Sequence, residues 1–493
     1  MTSDVRTPER AGTGRPALAH EWAALLPELS LPFAPARPSA PRVLALNEPL
    51  AHELNLDVVG LRSAEGVRFL SGEPADARPV AQVYAGHQWG RFQPILGDGR
   101  AALLGEVRDV HGRLRDVHLK GSGPTPMSRG DGYAVIGPML REYLMGEAMH
   151  ALGVPTTRAL AVVATGSVRP LDGLPGALLV RTATSHVRYD SFEYVRVHGD
   201  LGLLRRLADL VIARHYPRAA EARHPYRALL AEIVEAVARL TADWMRVGFV
   251  HGVLSTDNVL VGAETIDYGP CAFLDAYEPD AFFSSIDEFG RYAYERQPEI
   301  MRWNLDRLGE AVAPLLHDDL PEALSIAAGI VAEFDESYAR ARQESFRRKL
   351  GLAGDVDAAT VDRLTDAALA LLADHRVDFT GFWRDLAAAA EGDERAVRSR
   401  FLGEVPALED WLAAWKTQGP DAALARAVNP VYIARNHIVE EVLRAATDGD
   451  LVPFDELVAL LRDPFTERPE ARYRRFARPA PDGSPRHRTF CGT

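Results

Sequence analysis

The chain has 493 residues, 47% of them hydrophobic and 25% charged, with a formal net charge of −13. This balance is that of a soluble globular protein, long enough for two or three domains or one large two-lobed unit. The acidic charge disfavours nonspecific nucleic-acid binding, because phosphate backbones require a basic field. No apolar run is long enough to span a membrane. The opening residues mix Asp4 and Glu9 with arginines and lack an apolar stretch, so a secretory signal is not expected and the cytosol is the default compartment. Cys271 and Cys491 are the two cysteines, too few for a secreted disulfide scaffold.

In chain order, residues 1–20 read as a flexible Arg/Pro/Gly/Ala tail. A docking segment follows, with Trp22, Leu25, Leu26, Leu29 and Phe33 as apolar anchors. Asn47-Glu48-Pro49 opens a predicted helix, proline suiting a first turn, with Leu50 and Leu54 on its buried face. Runs at 92–96, 101–107 and 114–119 are separated by Gly97-Asp98-Gly99 and His111-Gly112, turn signals that predict an antiparallel meander ending at Lys120. A glycine-rich loop, 121–132, leads into a helix over 138–151, with Leu140, Tyr143, Leu144 and Ala148 at helical spacing. Strands are predicted at 158–165 and 177–182, then helices at 200–215, 225–247 and from about 285 onward, including 357–364 and 408–415. Strands early and helices late give an α+β class with a small antiparallel sheet lobe and a large helical lobe.

The most telling stretch is His251-Gly252-Val253-Leu254-Ser255-Thr256-Asp257-Asn258, followed by Ile266-Asp267-Tyr268-Gly269. It reads like a protein-kinase catalytic loop, H-R-D-x-x-x-x-N, and its metal-binding D-F-G segment. His251 and Asn258 keep the kinase spacing, but Val253 stands where the proton-accepting Asp belongs. Asp257 supplies an acid immediately before the Asn. Asp257, Asn258 and Asp267 carry the oxygen ligands that Mg²⁺ prefers; the bland alternative is an Asx-turn with a chance Asp-Tyr-Gly.

Other candidates are weaker alone. Lys120 at a strand end and Glu142 in the next helix follow the kinase order for a phosphate-directed Lys–Glu pair; as isolated residues they also read as solvated surface charges. Gly97-Asp98-Gly99-Arg100 would let backbone N–H groups approach phosphates, or is an ordinary hairpin turn. The 120–132 loop, with Arg129 and Asp131 beside glycines, has the length and polarity of a binding loop. Arg181 and Arg188 would grip a polyphosphate together if the segment bends, or are simply surface arginines.

Together these segments resemble the selenoprotein O family, also called the YdiU family. The matching blocks are Tyr84-Ala85-Gly86-His87-Gln88-Trp89-Gly90-Arg91-Phe92, Leu96 to Arg100, Leu119-Lys120-Gly121, His251 to Asn258, Ile266 to Pro270, Asn429-Pro430 and Arg435-Asn436. They run in order from about residue 45 to the C-terminus. The resemblance implies a protein-kinase-like two-lobed fold with a helical C-terminal extension. The corresponding division is an N-terminal tail and docking segment over 1–80, an N-lobe over 81–175, a C-lobe over 176–320 and the extension over 321–493. It implies ATP bound in reversed orientation and transfer of AMP to Ser, Thr or Tyr hydroxyls of protein substrates.

Residue by residue, the resemblance implies that Lys120 pairs with Glu142 and contacts phosphate, and that Arg181 and Arg188 hold phosphates. Gly97, Gly99 and Arg100 line the nucleotide site, with Asp131 and Gly132 contacting the nucleotide from the loop. Asn258 and Asp267 bind Mg²⁺, and Asp257 is the general base. With the nucleotide reversed, the α-phosphate lies near the metal and pyrophosphate leaves. The resemblance also suggests a redox role for Cys491, because eukaryotic relatives carry selenocysteine near the C-terminus. Cys271 lies two residues after Asp-Tyr-Gly, where kinases keep a mobile segment, and a Cys271–Cys491 disulfide would tether the tail beside the active site. Alternatives are a UTP-dependent uridylyltransferase using Mn²⁺, an ordinary kinase, disfavoured by Val253, and a pseudokinase scaffold, disfavoured by the intact Lys120, Asn258 and Asp267. The protein substrates and oligomeric state are not legible.

Overall fold

The computed structural model describes residues 14–73, 79–481 and 483–489. Its contacts divide the chain into two units, Met1–Gln82 with Asp98–Met139 and Ala159–Ala183, and Val83–Gly97 with Leu140–Arg158 and Thr184–Thr493.

The first unit is built on an antiparallel sheet. Its strands are β1 (Ser30–Pro32), β2 (Arg42–Leu46), the start of β3 (Val80–Gln88), then, beyond β4 (Arg91–Gly97), β5 (Ala101–Arg108), β6 (Leu114–Lys120), β7 (Ala134–Val135), β8 (Arg158–Val168) and β9 (Pro175–Ala183). The order is β1-β3-β5-β6-β9-β8-β2, with β7 on the side of β9. Strand residues alternate between the two faces. Val117, Leu119, Leu178 and Val180 pack on one face against Leu50, Leu54, Leu61 and Phe69. Those partners come from short helices, after α1 (Glu21–Leu25): α2 (Glu48–Glu53), α3 (Val58–Leu61) and α4 (Ala64–Leu70). Asn47 caps α2 by accepting from the Leu50 amide, with Pro49 in the first turn as expected.

Two expectations need correction here. The Phe92–Leu96 run does not pair with Ala101–Val107. Instead β4 folds back on β3, with Gln88 opposite Arg91 and Val83 opposite Gly97. The hairpin turn is therefore Trp89-Gly90, both at positive φ, while Gly97-Asp98-Gly99 joins strands that are not neighbours. The β5–β6 hairpin forms as predicted. Residues 1–13 lie outside the described residues, but 14–20 are not a free tail: Leu18 is buried and Ala19 exchanges backbone hydrogen bonds with Glu106. Trp22, Leu26 and Leu29 are buried anchors, whereas Leu25 is exposed and Phe33 half-buried.

The second unit is mainly helical. After α5 (Ile136–Ala151) come α6 (Tyr189–His198), α7 (Leu201–His215), α8 (Pro225–Val247), a small pair of strands β10 (Phe249–Val250) and β11 (Ala272–Phe273), then α9 (Gln297–Val312), α10 (Leu320–Lys349), α11 (Ala358–Asp374), α12 (Phe379–Ala390), α13 (Arg395–Arg398), α14 (Pro406–Lys416), α15 (Ala422–Val428) and α16 (Asn436–Thr447). Helix α8 ends at Gly248, in the left-handed conformation at φ +71°, where a Cβ would meet the Phe379 ring at 2.8 Å. The region after residue 320 shares a core with the β10–β11 segment. Val250, Ala272 and Leu274 pack with Leu350, Phe379, Trp383 and Trp415. The indole N–H groups of Trp411 and Trp415 donate to the Leu364 and Leu350 carbonyls at 2.9 and 2.8 Å, so the rings are buried without an orphaned donor. Among the described residues no helix is long and apolar enough to cross a membrane. The chain is thus mixed α and β, with a sheet unit and a helical unit.

Candidate active site

In the helical unit, the loop after β10 is fixed from several sides. His251 is buried, its Nε2 donates to the Ile266 carbonyl at 3.0 Å, and its amide donates to Gln297 Oε1 at 2.9 Å. Burial pushes its imidazole down to about 4, so it is a neutral structural bridge to the Asp267 segment rather than a proton carrier. Gly252, at φ +84°, allows a close approach: a Cβ there would lie 2.4 Å from the Pro270 carbonyl oxygen. Asn304 ties the Leu254 carbonyl at 3.1 Å, and Ser255 pairs with the Tyr292 hydroxyl at 2.8 Å. The Asp267 segment is anchored by Thr265, which donates to the Pro155 carbonyl and receives the Trp244 indole N–H.

This scaffold brings Arg188, Asp257 and Asp267 together. Main-chain bonds from Val261 to Val187 and from Tyr189 to Val259 run the Arg188 segment beside the loop. The Arg188 guanidinium donates to the Asp257 carbonyl, sits 3.5 Å from Asp267 Oδ2 and lies over the Tyr84 ring at 5.1 Å. Gln88 Nε2 donates to Asp257 Oδ2 at 2.7 Å. Asp257 Oδ1 is out of solvent with no hydrogen-bond partner among the described residues. Burial pushes the Asp257 carboxyl upward, opposed by Gln88 and Arg188 and reinforced by Asp267. A shielded carboxylate with one engaged oxygen and one oxygen unbonded among the described residues keeps an acceptor position for a proton. Asp267 holds φ +62°, rare for a residue with a side chain, a backbone strain of the kind that collects at functional sites.

Asn258 donates its amide to the Val253 carbonyl at 3.0 Å, which leaves its side-chain oxygen as the ligand it has to offer. No cluster of three or more acidic, His or Cys side chains able to hold a metal occurs among the described residues. An amide oxygen and a carboxylate fit Mg²⁺, which is commonly held by one or two protein oxygens with the rest from substrate phosphates and water.

The other predicted residues lie as follows. Gly97 ends β4, and Glu142 is buried on α5. In the sheet unit, Lys120 is buried at the end of β6. Registers place His118 opposite Arg181 and Lys120 opposite Leu179, so Lys120, His118 and Arg181 share the face opposite the α2–α4 packing. The glycine-rich loop closes onto the Gly99-Arg100 turn: Gly121 donates to the Arg100 carbonyl at 2.7 Å, Thr125 Oγ1 to the Asp98 carbonyl at 2.6 Å, and Ser128 Oγ to the Gly99 carbonyl. Asp131 accepts from the Tyr133 amide at 3.1 Å and lies 3.9 Å from Arg169, while Gly132 takes φ +72°.

Sequence reasoning assigned no role to several groups. His118 Nε2 donates to Asp98 Oδ2 at 3.0 Å and accepts at Nδ1 from Arg181 at 3.5 Å, a buried relay beside Lys120. His87 bonds Glu193 at 3.0 Å, and Gln88 reaches Asp257. Both lie in the 84–92 block, which was the available signal. Asp190, fully buried, lies where a Cβ on Gly86 would fall, within 1.9 Å.

Burial pushes the Asp190 carboxyl well above the ordinary range, with Asp257 and Glu193 adding and Thr256 and Arg188 opposing. A carboxyl raised in the folded state binds more protons folded than unfolded, so stability falls as pH rises from the ordinary value of 3.8 toward the raised one. Asp190→Asn is therefore expected to be more stable than the wild type at pH 8 and to show a flatter dependence of melting temperature between pH 5 and 8. A steeper dependence in the variant would contradict this.

Cys271 is buried, with its thiol pushed up to about 11 by that burial, and Arg141 donates to its carbonyl at 2.6 Å. Cys491 lies outside the described residues, but Thr489 donates to the Pro270 carbonyl at 2.7 Å and to the Phe283 carbonyl through its amide at 2.8 Å.

Residues 20–462 match the family described as Protein adenylyltransferase SelO. A protein of Mycolicibacterium paratuberculosis named Protein nucleotidyltransferase YdiU is 53% identical over 478 residues, covering 95% of this chain and 96% of that protein. Proteins of the same name from Pseudarthrobacter chlorophenolicus and Cereibacter sphaeroides are each 52% identical, over 97% and 93% of this chain and 98% and 96% of their own lengths. With the catalytic-loop blocks in place along its length, this chain belongs to the SelO family of protein adenylyltransferases and is a nucleotidyltransferase enzyme.

Proposed function

We propose that the chain transfers AMP from ATP to Ser, Thr or Tyr hydroxyls of target proteins, on a protein-kinase-like two-lobed fold that binds the nucleotide in reversed orientation. The observation that carries this reading is Asp257, whose Oδ2 is held by Gln88 and whose Oδ1 is buried with no hydrogen-bond partner among the described residues. The kinase base position is Val253, so a γ-phosphoryl acceptor is not served there.

The target hydroxyl oxygen attacks the α-phosphorus, the bond from the α-phosphorus to the bridging oxygen breaks, and pyrophosphate leaves with that electron pair. Asp257 takes the hydroxyl proton. Asn258 and Asp267 would hold Mg²⁺, whose charge offsets that of the phosphate oxygens. In this reading Lys120 would pair with Glu142, and Lys120, Arg181 and Arg188 would bind phosphates and stabilise the leaving group. Gly97, Gly99 and Arg100, with Asp131 and Gly132 of the loop, would line the nucleotide. The four-part division at 80, 175 and 320 and a cytosolic location belong to the same reading. Mass spectrometry of a modified target tests it: added AMP supports it, and added phosphate contradicts it.

A Cys271–Cys491 disulfide is part of the proposal as a switch, supported by Thr489 resting on the Pro270 carbonyl next to Cys271. Because Cys271 is buried, its segment would have to open for the bond to form. Thiol titration is expected to find no free thiols in oxidised protein and two after reduction; two in both samples would end the idea.

A further inference from the structure

We infer that Gln88 is a positioning residue for Asp257, fixing the carboxylate so that one defined oxygen, Oδ1, is left to accept the hydroxyl proton. The inference rests on the adenylyl-transfer reading and deepens it. The direct link is the 2.7 Å bond from Gln88 Nε2 to Asp257 Oδ2, which leaves Oδ1 as the shielded oxygen with no partner among the described residues. A carboxylate held at one oxygen cannot rotate freely about its terminal torsion, a torsion that is otherwise broad.

The residues on both sides of Gln88 are anchored to the same loop. The His87 amide donates to Thr256 Oγ1 at 2.7 Å, and that hydroxyl donates back to the His87 carbonyl at 3.3 Å. The His87 ring is held by Glu193 at 3.0 Å and set edge-on to Trp303 at 5.3 Å. On the other side, the Trp89 ring lies against Tyr292 at 4.8 Å, and Tyr292 in turn bonds Ser255. Trp89 holds φ +55°, an unfavourable conformation for a tryptophan, in a turn that brings the end of β3 onto residues 255–257. The strand end therefore grips the loop at Thr256 through His87 and at Asp257 through Gln88, while Trp89 rests on Tyr292, which bonds Ser255.

The test is steady-state transfer from α-labelled ATP to a protein acceptor by wild type, Gln88→Met and Gln88→Leu. Methionine keeps the side-chain length and leucine a branched end, and neither supplies a hydrogen-bond donor or a second carboxylate beside Asp257. At metal sites, losing the hydrogen-bond partner that orients a ligand costs roughly 10- to 100-fold in affinity or activity, and the same scale is expected for a general base oriented in the same way. Both variants are expected to lose kcat on that scale with the KM for ATP within about twofold and an unchanged melting temperature. Wild-type kcat in either variant overturns the inference while leaving adenylyl transfer standing. A loss of kcat that comes with a raised KM for ATP or a lowered melting temperature also overturns it, since it marks a structural role. A wild-type protein that transfers no α-label overturns the underlying reading and the inference with it.

Discussion

Asp257→Asn is expected to lower AMP transfer by roughly 10²- to 10⁴-fold, the usual contribution of a positioned general base, with ATP binding retained. The substitution keeps the volume of the side chain and an oxygen that can accept from Gln88 Nε2, so it tests proton acceptance rather than packing. The loop should keep its fold, because its anchors are elsewhere: His251 on Ile266, Asn304 on Leu254 and Ser255 on Tyr292. Arg188 bonds the main-chain carbonyl of Asp257, which the substitution leaves in place. Steady-state transfer and equilibrium nucleotide binding check this together. A variant within threefold of wild type would remove Asp257 from the chemistry.

The largest expected stability effect is at Arg435. Its guanidinium is 1% exposed and bridges Asp275 Oδ1 and both oxygens of Asp378, at 2.6, 2.6 and 3.0 Å, and donates to the Ala477 carbonyl at 3.0 Å. Next to it, Asn436 exchanges bonds with the Phe273 main chain on β11. Arg435→Met keeps much of the volume but takes the guanidinium from the buried Asp378 and the partly exposed Asp275, leaving Asp378 with Arg400 at 3.4 Å and the Gly381 amide. Breaking a buried ion pair on one side costs about 3–5 kcal/mol, because the remaining charge is left uncompensated. Denaturant unfolding is expected to show a loss on that scale. A change below about 1 kcal/mol would mean that water or a rearranged partner replaces the guanidinium.

Local signals were legible in the sequence where they were contiguous. The Asn47 cap, the helices at 200–215 and 225–247 and the β5–β6 hairpin all follow from neighbouring residues or short periodicity. The partner of β4 was not legible, because Gly97-Asp98-Gly99 and Trp89-Gly90 both offer positive-φ turns and only pairing beyond the turn decides between them. The catalytic loop stood out because His251, Asn258 and Asp267 keep a fixed order along the chain. Gln88 and Glu193 did not, since Gln88 reaches that loop across 169 residues and Glu193 reaches His87 across 106, separations that carry no spacing rule. Asp190 was equally silent: a buried carboxyl pressed against Gly86 looks, in sequence, like any acid in the first turn of a helix.

The most direct test of the account is parallel incubation with ATP labelled on the α- or the γ-phosphate, with Mg²⁺ and with Asp267→Ala as control, reading label retained on protein. The account predicts retention from α-labelled ATP alone, lost in the variant. Retention from γ-labelled ATP would mean phosphoryl transfer and would contradict the reversed nucleotide.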